Sequence, residues 1–480
     1  MIRIARMRAI FIHRRRGSVR CAPRPAHCHG GPAGCPLLQP AGRTVGLSRN
    51  VRFAAGQSHG VWKRGGDREQ RDDRWDMTKL HTGHVLGIAA LLAPTLGVFA
   101  SNMVTPVALL AIIGLLVLRG LNRERGIRSD RQLIAIIAII VLWSGLTLFW
   151  TINLSDALLK CVSIAALAVL ATAALILAPP FVEHERHALR RFVLAGIGLG
   201  FLFFFIETAS DGAISRHVFG KAPINGPAIV MFNLTPSFLF LFIWPAIGIL
   251  WRSWPFLGLS LIALGAIAAV ILPSASASIG YISGVVFFFA ALLAPRGANL
   301  FVAVAIAAGI VAAPLVPRVA PALDPATVRS NLDSRNASLL HRLDIWSFTL
   351  EKIQQRPVLG WGFNASRTIP DGDAHYYLRD RAGEVVGQGN RLPLHPHNGA
   401  LQIWLELGLP GAIAFAALFA LAALRCNRQT ERPAAAATLA ALATAGPIWL
   451  LSFGIWQTWW LSILILSTLI PVSLVIPDRS

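Results

Sequence analysis

The sequence predicts an all-α polytopic membrane protein with about 12 transmembrane helices. Only 14% of the 480 residues are charged and 55% are hydrophobic, whereas soluble proteins carry about 25% charged residues. Apolar runs long enough to cross a bilayer recur from Val85 to Ile476. One long polar stretch interrupts them, and the chain is therefore expected to have an N-terminal extension, a first helical block, a polar loop and a second helical block. These parts are residues 1–76, 77–317, 318–398 and 399–480.

The predicted spans follow from the apolar runs and the polar linkers between them. In chain order they are residues 85–100, 103–118, 132–150, 157–178, 191–208, 228–250, 255–273, 279–295, 300–317, 399–424, 435–454 and 456–476. Arg and Lys should collect in short cytoplasmic loops, and every second linker is basic, with only Arg216 and Lys221 breaking the alternation. This pattern predicts both termini in the cytoplasm and the large loop, between the ninth and tenth spans, outside, which is the periplasm if the cell is a Gram-negative bacterium with the protein in its inner membrane.

The first 76 residues are a separate basic segment. They hold 16 of the 44 Lys and Arg residues and five of the 23 acidic residues, about half of the net charge of +21. Such an arm either binds nucleic acid or anionic lipid or, the interpretation favoured here, is upstream sequence read through before Met77 and disordered if made. No nucleic-acid partner is expected. The spacing of Cys21, Cys28 and Cys35 is not that of a zinc site, and no metal is expected.

The polar loop contains one predicted helix, over residues 342–353, which Pro357 ends. Its apolar residues at helical spacing are Leu343, Trp346, Leu350 and Ile353. The face around Trp346 is interpreted as a cap on the bundle or a surface that lies on the membrane. Residues 364–393 are predicted to be irregular.

The end of this loop concentrates imidazole groups at the mouth of the tenth span, in the sequence Leu394-His395-Pro396-His397-Asn398. Neutral imidazole accepts a proton near pH 7, so His397 is a candidate general base. Asn398 either holds the tautomer of that ring or caps the helix. Alternatively, His395 and His397 only anchor the helix at the headgroup layer.

Arginines of the same loop are candidate ligands for phosphate or pyrophosphate, because the guanidinium fork matches these groups. Arg342 has the best position, at the start of the predicted helix, and Arg335 and Arg391 are further candidates, with Arg356 and Arg367 between them. The loop has ten basic and eight acidic residues, so it is not a strong anion trap as a whole. The alternative interpretation is that these arginines are simply solvated.

Glu406 lies inside an apolar run of the tenth span, where a carboxylate is costly unless it is paired or hydrated. It either pairs with an Arg or braces the loop, and a structural role is favoured. The sequence has no P-loop and no dinucleotide-binding glycine pattern. Energy for a transfer reaction would therefore come with the substrate, as it does for a sugar linked to a lipid pyrophosphate.

Three motifs in this order resemble the O-antigen ligase family, which shades into O-antigen and exopolysaccharide polymerases. They are Arg342-x-x-x-Trp346, Arg356-Pro357-Val-Leu-Gly360-Trp-Gly362, and His397-Asn398 followed nine residues later by Gly408-Leu-Pro-Gly411. The resemblance implies a glycosyltransferase that works without metal, nucleotide or other cofactor. It would move a glycan from undecaprenyl pyrophosphate to a hydroxyl of lipid A–core, at the periplasmic face of the bilayer.

Carried over residue by residue, the resemblance makes His397 the base that activates the acceptor hydroxyl and Arg342 the arginine that holds the pyrophosphate. Many members have a further Arg near the start of the eighth span, where Ser274 to Gly280 contains none. Arg216 or Lys221, on the predicted outer side, is the candidate replacement. His395, Asn398 and Glu406 complete the expected substrate-binding set, with Arg335 and Arg391.

Two other functions stay open. A polymerase would use the same chemistry with another lipid-linked glycan as acceptor. A non-catalytic transporter of lipid-linked glycans would need no base, and replacement of His397 would then leave its function intact.

Overall fold

The structure is a computed structural model that describes most of the chain beyond residue 80. The described residues are 81–122, 130–176, 181–221, 232–272, 274–330, 337–380, 382–428 and 431–474. The predicted N-terminal extension, residues 1–76, lies outside them.

The described chain is almost entirely helical. Its helices are α1 (Thr82–Phe99), α2 (Val104–Asn122), α3 (Arg131–Leu146), α4 (Leu154–Ile176), α5 (Glu183–Ala209), α6 (Ala213–His217), α7 (Thr235–Ser253), α8 (Pro255–Ile271), α9 (Ala275–Leu293), α10 (Pro295–Val311), α11 (Val316–Val319), α12 (Pro325–Ser330), α13 (Ala337–Gln355), α14 (Gly399–Arg425), α15 (Arg432–Leu451) and α16 (Thr458–Leu474). One antiparallel hairpin joins β1 (His375–Arg379) to β2 (Val385–Asn390).

Each of the 12 predicted spans coincides with a helix, but the helices are not equally long. Among the described residues, nine are long and apolar enough to cross a membrane, and α10 joins them if it is counted with the bent segment that follows. The helices α8, α10 and α16 have 17 residues each, at the lower limit for a membrane crossing. The helical content and the apolar helices are those of an all-α polytopic membrane protein, and the count of 12 spans stays a prediction.

Small residues bring the central helices into close contact, as in other membrane bundles. A Cβ added at Gly196 of α5 would lie 2.3 Å from the carbonyl oxygen of Ala90 on α1. On α9, a Cβ at Gly280 would lie 2.5 Å from the carbonyl oxygen of Thr444 on α15. The first 13 residues of α7 are all buried, so α7 is at the centre of the core.

The helices α3 and α4 lie at the periphery. Only 11% and 17% of their apolar windows are buried, and Leu142 and Leu159 are among their exposed side chains. Exposed apolar residues are favourable where the surroundings are lipid, so these faces are the lipid-contacting surface of the bundle.

The polar loop contains α11, α12, α13 and the hairpin. The predicted amphipathic helix is confirmed as α13, with Leu343, Leu350 and Ile353 buried. The indole Nε1 of Trp346 donates to the carbonyl of Pro396, 2.9 Å away, so α13 caps the start of α14. Residues 364–393 are only partly irregular, because β1 and β2 pair within them; the glycines that suggested irregularity include Gly387 and Gly389, which lie inside β2.

Candidate active site at the start of α14

The chain turns sharply at His397 as it enters α14. His397 has φ of +52°, in the left-handed region, which is uncommon for a residue with a side chain. The next residue, Asn398, caps the helix, since its Oδ1 accepts from the backbone N–H of Leu401 at 3.1 Å. Residues held in such unfavourable backbone conformations cluster at functional sites. Of the two roles considered for Asn398, the structure gives the helix cap.

The ring of His397 is oriented by a carbonyl group from another helix. Its Nδ1 lies 2.9 Å from the carbonyl oxygen of Ser452, at the end of α15. A carbonyl only accepts, so in a neutral ring Nδ1 carries the proton and Nε2 keeps its lone pair. His397 is half-buried, and its Nε2 is the nitrogen available as a base.

A second imidazole packs on the first. The ring centroids of His395 and His397 are 4.3 Å apart, and Nδ1 of His395 accepts from the backbone N–H of His397 at 3.1 Å. Burial lowers the pKa of His395 to about 3, with electrostatic interactions with His397 and Arg367 acting in the same direction. His395 is therefore a neutral structural partner of His397.

Burial also lowers the pKa of His397. The hydrogen bond to Ser452 opposes this effect, and electrostatic interactions with Arg342 and His341 add to it. The ring is therefore neutral at pH 7, and the charge of Arg342 acts on it. A shared site for this imidazole and this guanidinium stays a prediction.

Arg342 lies in the first turns of α13 and is half-buried. Burial lowers its pKa, because a charge withdrawn from water is disfavoured. Within the described residues no carboxylate forms an ion pair with it. Arg342 is therefore suited to bind an anion brought by a ligand.

The start of α13 is held by a network that reaches the hairpin. His341 Nδ1 lies 3.0 Å from the hydroxyl of Tyr376 on β1, and Asp344 contacts Tyr376 and forms an ion pair with Arg329. Burial is the main influence that lowers the pKa of His341. This network positions His341 and Arg342 relative to the hairpin.

The loop after α13 pairs with a break in α14. Gly408 has φ of +64° and ψ of −158°, and the helix is interrupted there. The loop supplies hydrogen-bond partners for this interrupted backbone. The backbone N–H of Trp361 donates to the carbonyl oxygen of Leu405 at 2.8 Å, and the backbone N–H of Leu409 donates to the carbonyl oxygen of Val358 at 3.0 Å. Irregular backbone inside a membrane bundle requires such partners. The two glycine-rich motifs of the sequence thus meet here.

Glu406, just before this break, is fully buried and accepts four hydrogen bonds. Its donors are the backbone N–H of Asn364, the hydroxyl of Ser366, the amide of Gln402 and the indole of Trp456. The carboxylate connects the polar loop to α14 and to the start of α16. This is the bracing role favoured from the sequence.

The 3₁₀ turn Ala365–Arg367, which Glu406 holds, presents another cation. Arg367 is exposed, and its charge acts on His395. The charge of Arg367 also acts on Lys160 of α4. Asp156 is the only acidic residue on that helix. Arg367, one of the loop arginines considered from the sequence, therefore adds a second positive charge to the surroundings of His395.

Among the other predicted ligands, Arg391 and Arg216 already form ion pairs. Arg391 forms an exposed ion pair with Glu351 at 3.5 Å, and its guanidinium lies 4.5 Å from the ring centroid of Phe348. Arg335 lies outside the described residues. Among those described, no hydrogen bond or ion pair joins Arg216 or Lys221 to α13 or α14.

Arg216 and Lys221 belong to the connection after α5. Arg216 forms an ion pair with Asp211 at 2.9 Å. Burial lowers the pKa of Lys221, and the nearby Glu207 opposes that effect. The topology of the sequence put both residues on the outer side, but it could not show which helix ends meet there. No described cluster of three or more His, Cys, Asp or Glu side chains is arranged to bind a metal.

Fold and site together define a multi-pass membrane protein whose polar loop holds a histidine and arginines at the mouth of one helix. A family model described as O-antigen ligase matches residues 235–416, which include α13 and His397. Proteins named "Putative polysaccharide ligase" from Rickettsia felis and Rickettsia bellii are 31% identical over 284 residues and 30% identical over 298 residues. The matched parts are 58% and 61% of this chain. The chain belongs to the O-antigen ligase family.

The matches cover much of these relatives but not all. This chain spans 65% of the length of the Rickettsia felis protein and 69% of the Rickettsia bellii protein. A third relative, "Putative polysaccharide ligase RP358" from Rickettsia prowazekii, is 30% identical over 271 residues, which are 56% of this chain and 64% of its own length.

Proposed function

We propose that the protein transfers a polysaccharide from undecaprenyl pyrophosphate to a hydroxyl of lipid A–core, at the periplasmic face of the inner membrane. One observation carries the proposal: the hydrogen bond from Nδ1 of His397 to Ser452 leaves the Nε2 lone pair free, beside the positive charge of Arg342. Membership in the O-antigen ligase family and the names of the Rickettsia relatives support polysaccharide ligation as the activity class.

The reaction that fits this geometry is an inverting displacement. Nε2 of His397 takes the proton of the acceptor hydroxyl as its oxygen forms a bond to the anomeric carbon. The bond from that carbon to the diphosphate oxygen breaks, and undecaprenyl pyrophosphate leaves with the electron pair. The lowered pKa of His397 keeps the base unprotonated at neutral pH.

Arg342 stabilises the negative charge that develops on the leaving diphosphate. Its half-buried guanidinium is less screened by water than an exposed one, and charge stabilisation is stronger there. Arg367 is close enough to His395 to contribute a second positive charge. This assignment replaces Arg216 and Lys221 as the candidate second contact.

The decisive experiment reconstitutes the purified protein in liposomes with lipid-linked donor and lipid A–core. A metal chelator is present, no nucleotide is added, and glycan attachment to lipid A–core is measured. We expect glycan attachment with the native protein and a loss of at least about 100-fold with His397→Ala, the scale of a general base. Unchanged attachment by a folded His397→Ala protein would contradict the role of the base. If the native protein attaches no glycan under these conditions, the transporter function is favoured instead.

The acceptor is tested in a deletion strain. If lipid A–core is the acceptor, cells without the protein accumulate polymer on the lipid carrier. Core capped by a single repeat unit would instead identify a polymerase, which uses another lipid-linked glycan as acceptor.

A further inference from the structure

The outward face of the β1–β2 hairpin carries a set of planar polar and aromatic side chains. Successive residues of a strand point to opposite faces, and in β1 the exposed positions are His375, Tyr377 and Arg379. Directly paired residues share a face. The register pairs Tyr377 with Gln388, which is exposed, and His375 with Asn390, which is half-buried, so both amides lie on this face.

We infer that this face binds the glycan chain of the lipid-linked donor, an inference that rests on the proposed function. Tyr377 is 65% exposed, and its ring offers a flat apolar surface to the C–H face of a pyranose ring. The amides, imidazole and guanidinium around it are donors and acceptors suited to sugar hydroxyls. Tyr supplies such contact area at small entropic cost, because it has few rotatable bonds.

The inward face of the same hairpin connects this surface to the active site. The hydroxyl of Tyr376 lies 3.0 Å from Nδ1 of His341. A Cβ added at Gly389 would lie 2.5 Å from Cε1 of the same ring. His341 precedes Arg342, the proposed diphosphate ligand. Since the sugars of the donor begin at the diphosphate, the surface is on the donor side of the site, and the occupant is the donor glycan rather than the core acceptor.

The binding experiment uses the full-length protein in detergent and delipidated glycan released from the donor by mild acid. We expect Tyr377→Ala and Gln388→Ala to raise the Kd about tenfold each, and Tyr377→Phe to keep most of the affinity because the ring remains. Leu323→Ala is the matched control: Leu323 is also largely exposed, at 63%, and lies outside the hairpin. Unchanged binding by Tyr377→Ala would overturn the inference.

Transfer kinetics identify which glycan occupies the surface. With Tyr377→Ala, the KM for a long-chain donor should rise about tenfold, while the kcat and the KM for a donor with one sugar stay at native values. An increase in the KM for the acceptor, or equal changes for both donors, would contradict the assignment. Failure of the proposed function is distinguishable: native protein would then bind delipidated glycan through Tyr377 but transfer none.

Discussion

At the scale of residues, the site depends on how one imidazole is held. The backbone of His397 is in the left-handed region, its Nδ1 is bound to a carbonyl, and the ring of His395 packs against it at a tilt of 53°. These contacts leave one nitrogen for chemistry. The positive charge of Arg342 then acts on that ring and on any anion bound beside it.

The pH dependence of transfer follows from the pKa of His397. The base must be neutral, and its pKa lies below the ordinary value of about 6.5. As pH falls, kcat/KM should therefore stay level through pH 6.5 and decline only at more acidic pH. Because the charge of Arg342 contributes to the lowering, Arg342→Gln should move the midpoint upward. The measurement is kcat/KM from pH 4.5 to 8, and a midpoint above about 6.5 in the native protein would contradict the burial of this ring.

Replacement of Arg342 by Lys tests the guanidinium fork. Lys keeps the charge but cannot make two parallel hydrogen bonds to a diphosphate. We expect transfer to fall by about tenfold or more in kcat/KM for the donor. Arg318→Lys, at an exposed position of α11 in the same loop, should keep native kinetics. Equal effects of the two substitutions would show that Arg342 contributes only to the general field of the loop.

At the scale of elements, the site is built by the pairing of a loop with a broken helix. The arm of α14 before Gly408 carries Glu406 and begins at the His397 turn, and the loop after α13 supplies its missing hydrogen bonds. The Trp143 indole also donates to the carbonyl of Leu407, at 2.9 Å. Loop and helix therefore position each other.

Gly408→Ala should prevent this pairing. A Cβ there would lie 2.1 Å from the carbonyl oxygen of Val358, and the positive φ is unfavourable for alanine. We expect a loss of about 2–5 kcal/mol in stability, from strain and overpacking together, measured by thermal unfolding in detergent. Gly198→Ala is the control, since its Cβ meets nothing within 4 Å on α5. A Gly408→Ala protein as stable as this control would contradict the proposed pairing.

At the scale of the whole molecule, the charge pattern predicts that the large polar loop and the short basic linkers lie on opposite sides of the membrane. The loop with α13 and the hairpin caps one end, and basic side chains such as Arg252 and Arg425 lie on linkers assigned to the other. Short basic linkers favour the cytoplasmic side. The orientation of the active site therefore depends on the charge pattern of the entire chain.

Cysteine labelling tests that orientation. Glu384→Cys, in the exposed hairpin turn, should react with a membrane-impermeant maleimide in intact spheroplasts. Ser253→Cys, at the exposed end of α7, should react only after the membrane is opened. The described native cysteines, Cys161 and Cys426, are both buried. The opposite labelling pattern would put the site in the cytoplasm and contradict the proposed reaction.

The largely helical fold, the amphipathic helix α13 and the bracing role of Glu406 could be predicted, because each depends on the hydropathy or spacing of nearby residues. The roles of Ser452 and Tyr376 could not. Ser452 is 55 residues from His397 in the chain, and no local pattern indicates which carbonyl will meet a ring. The hairpin could not be predicted either, because β2 contains Gly387 and Gly389 and glycine is depleted in strands.

The sequence by itself determined the class of protein, its membrane layout and the chemistry available, because apolar length, charge asymmetry and residue type are properties of the chain alone. Only the tertiary structure decided which arginine acts electrostatically on His397, which of its nitrogens is free, and which loop supplies the hydrogen bonds missing at the break in α14. Those outcomes depend on contacts between helices far apart in sequence, and close packing determines which distant groups can come within hydrogen-bonding distance.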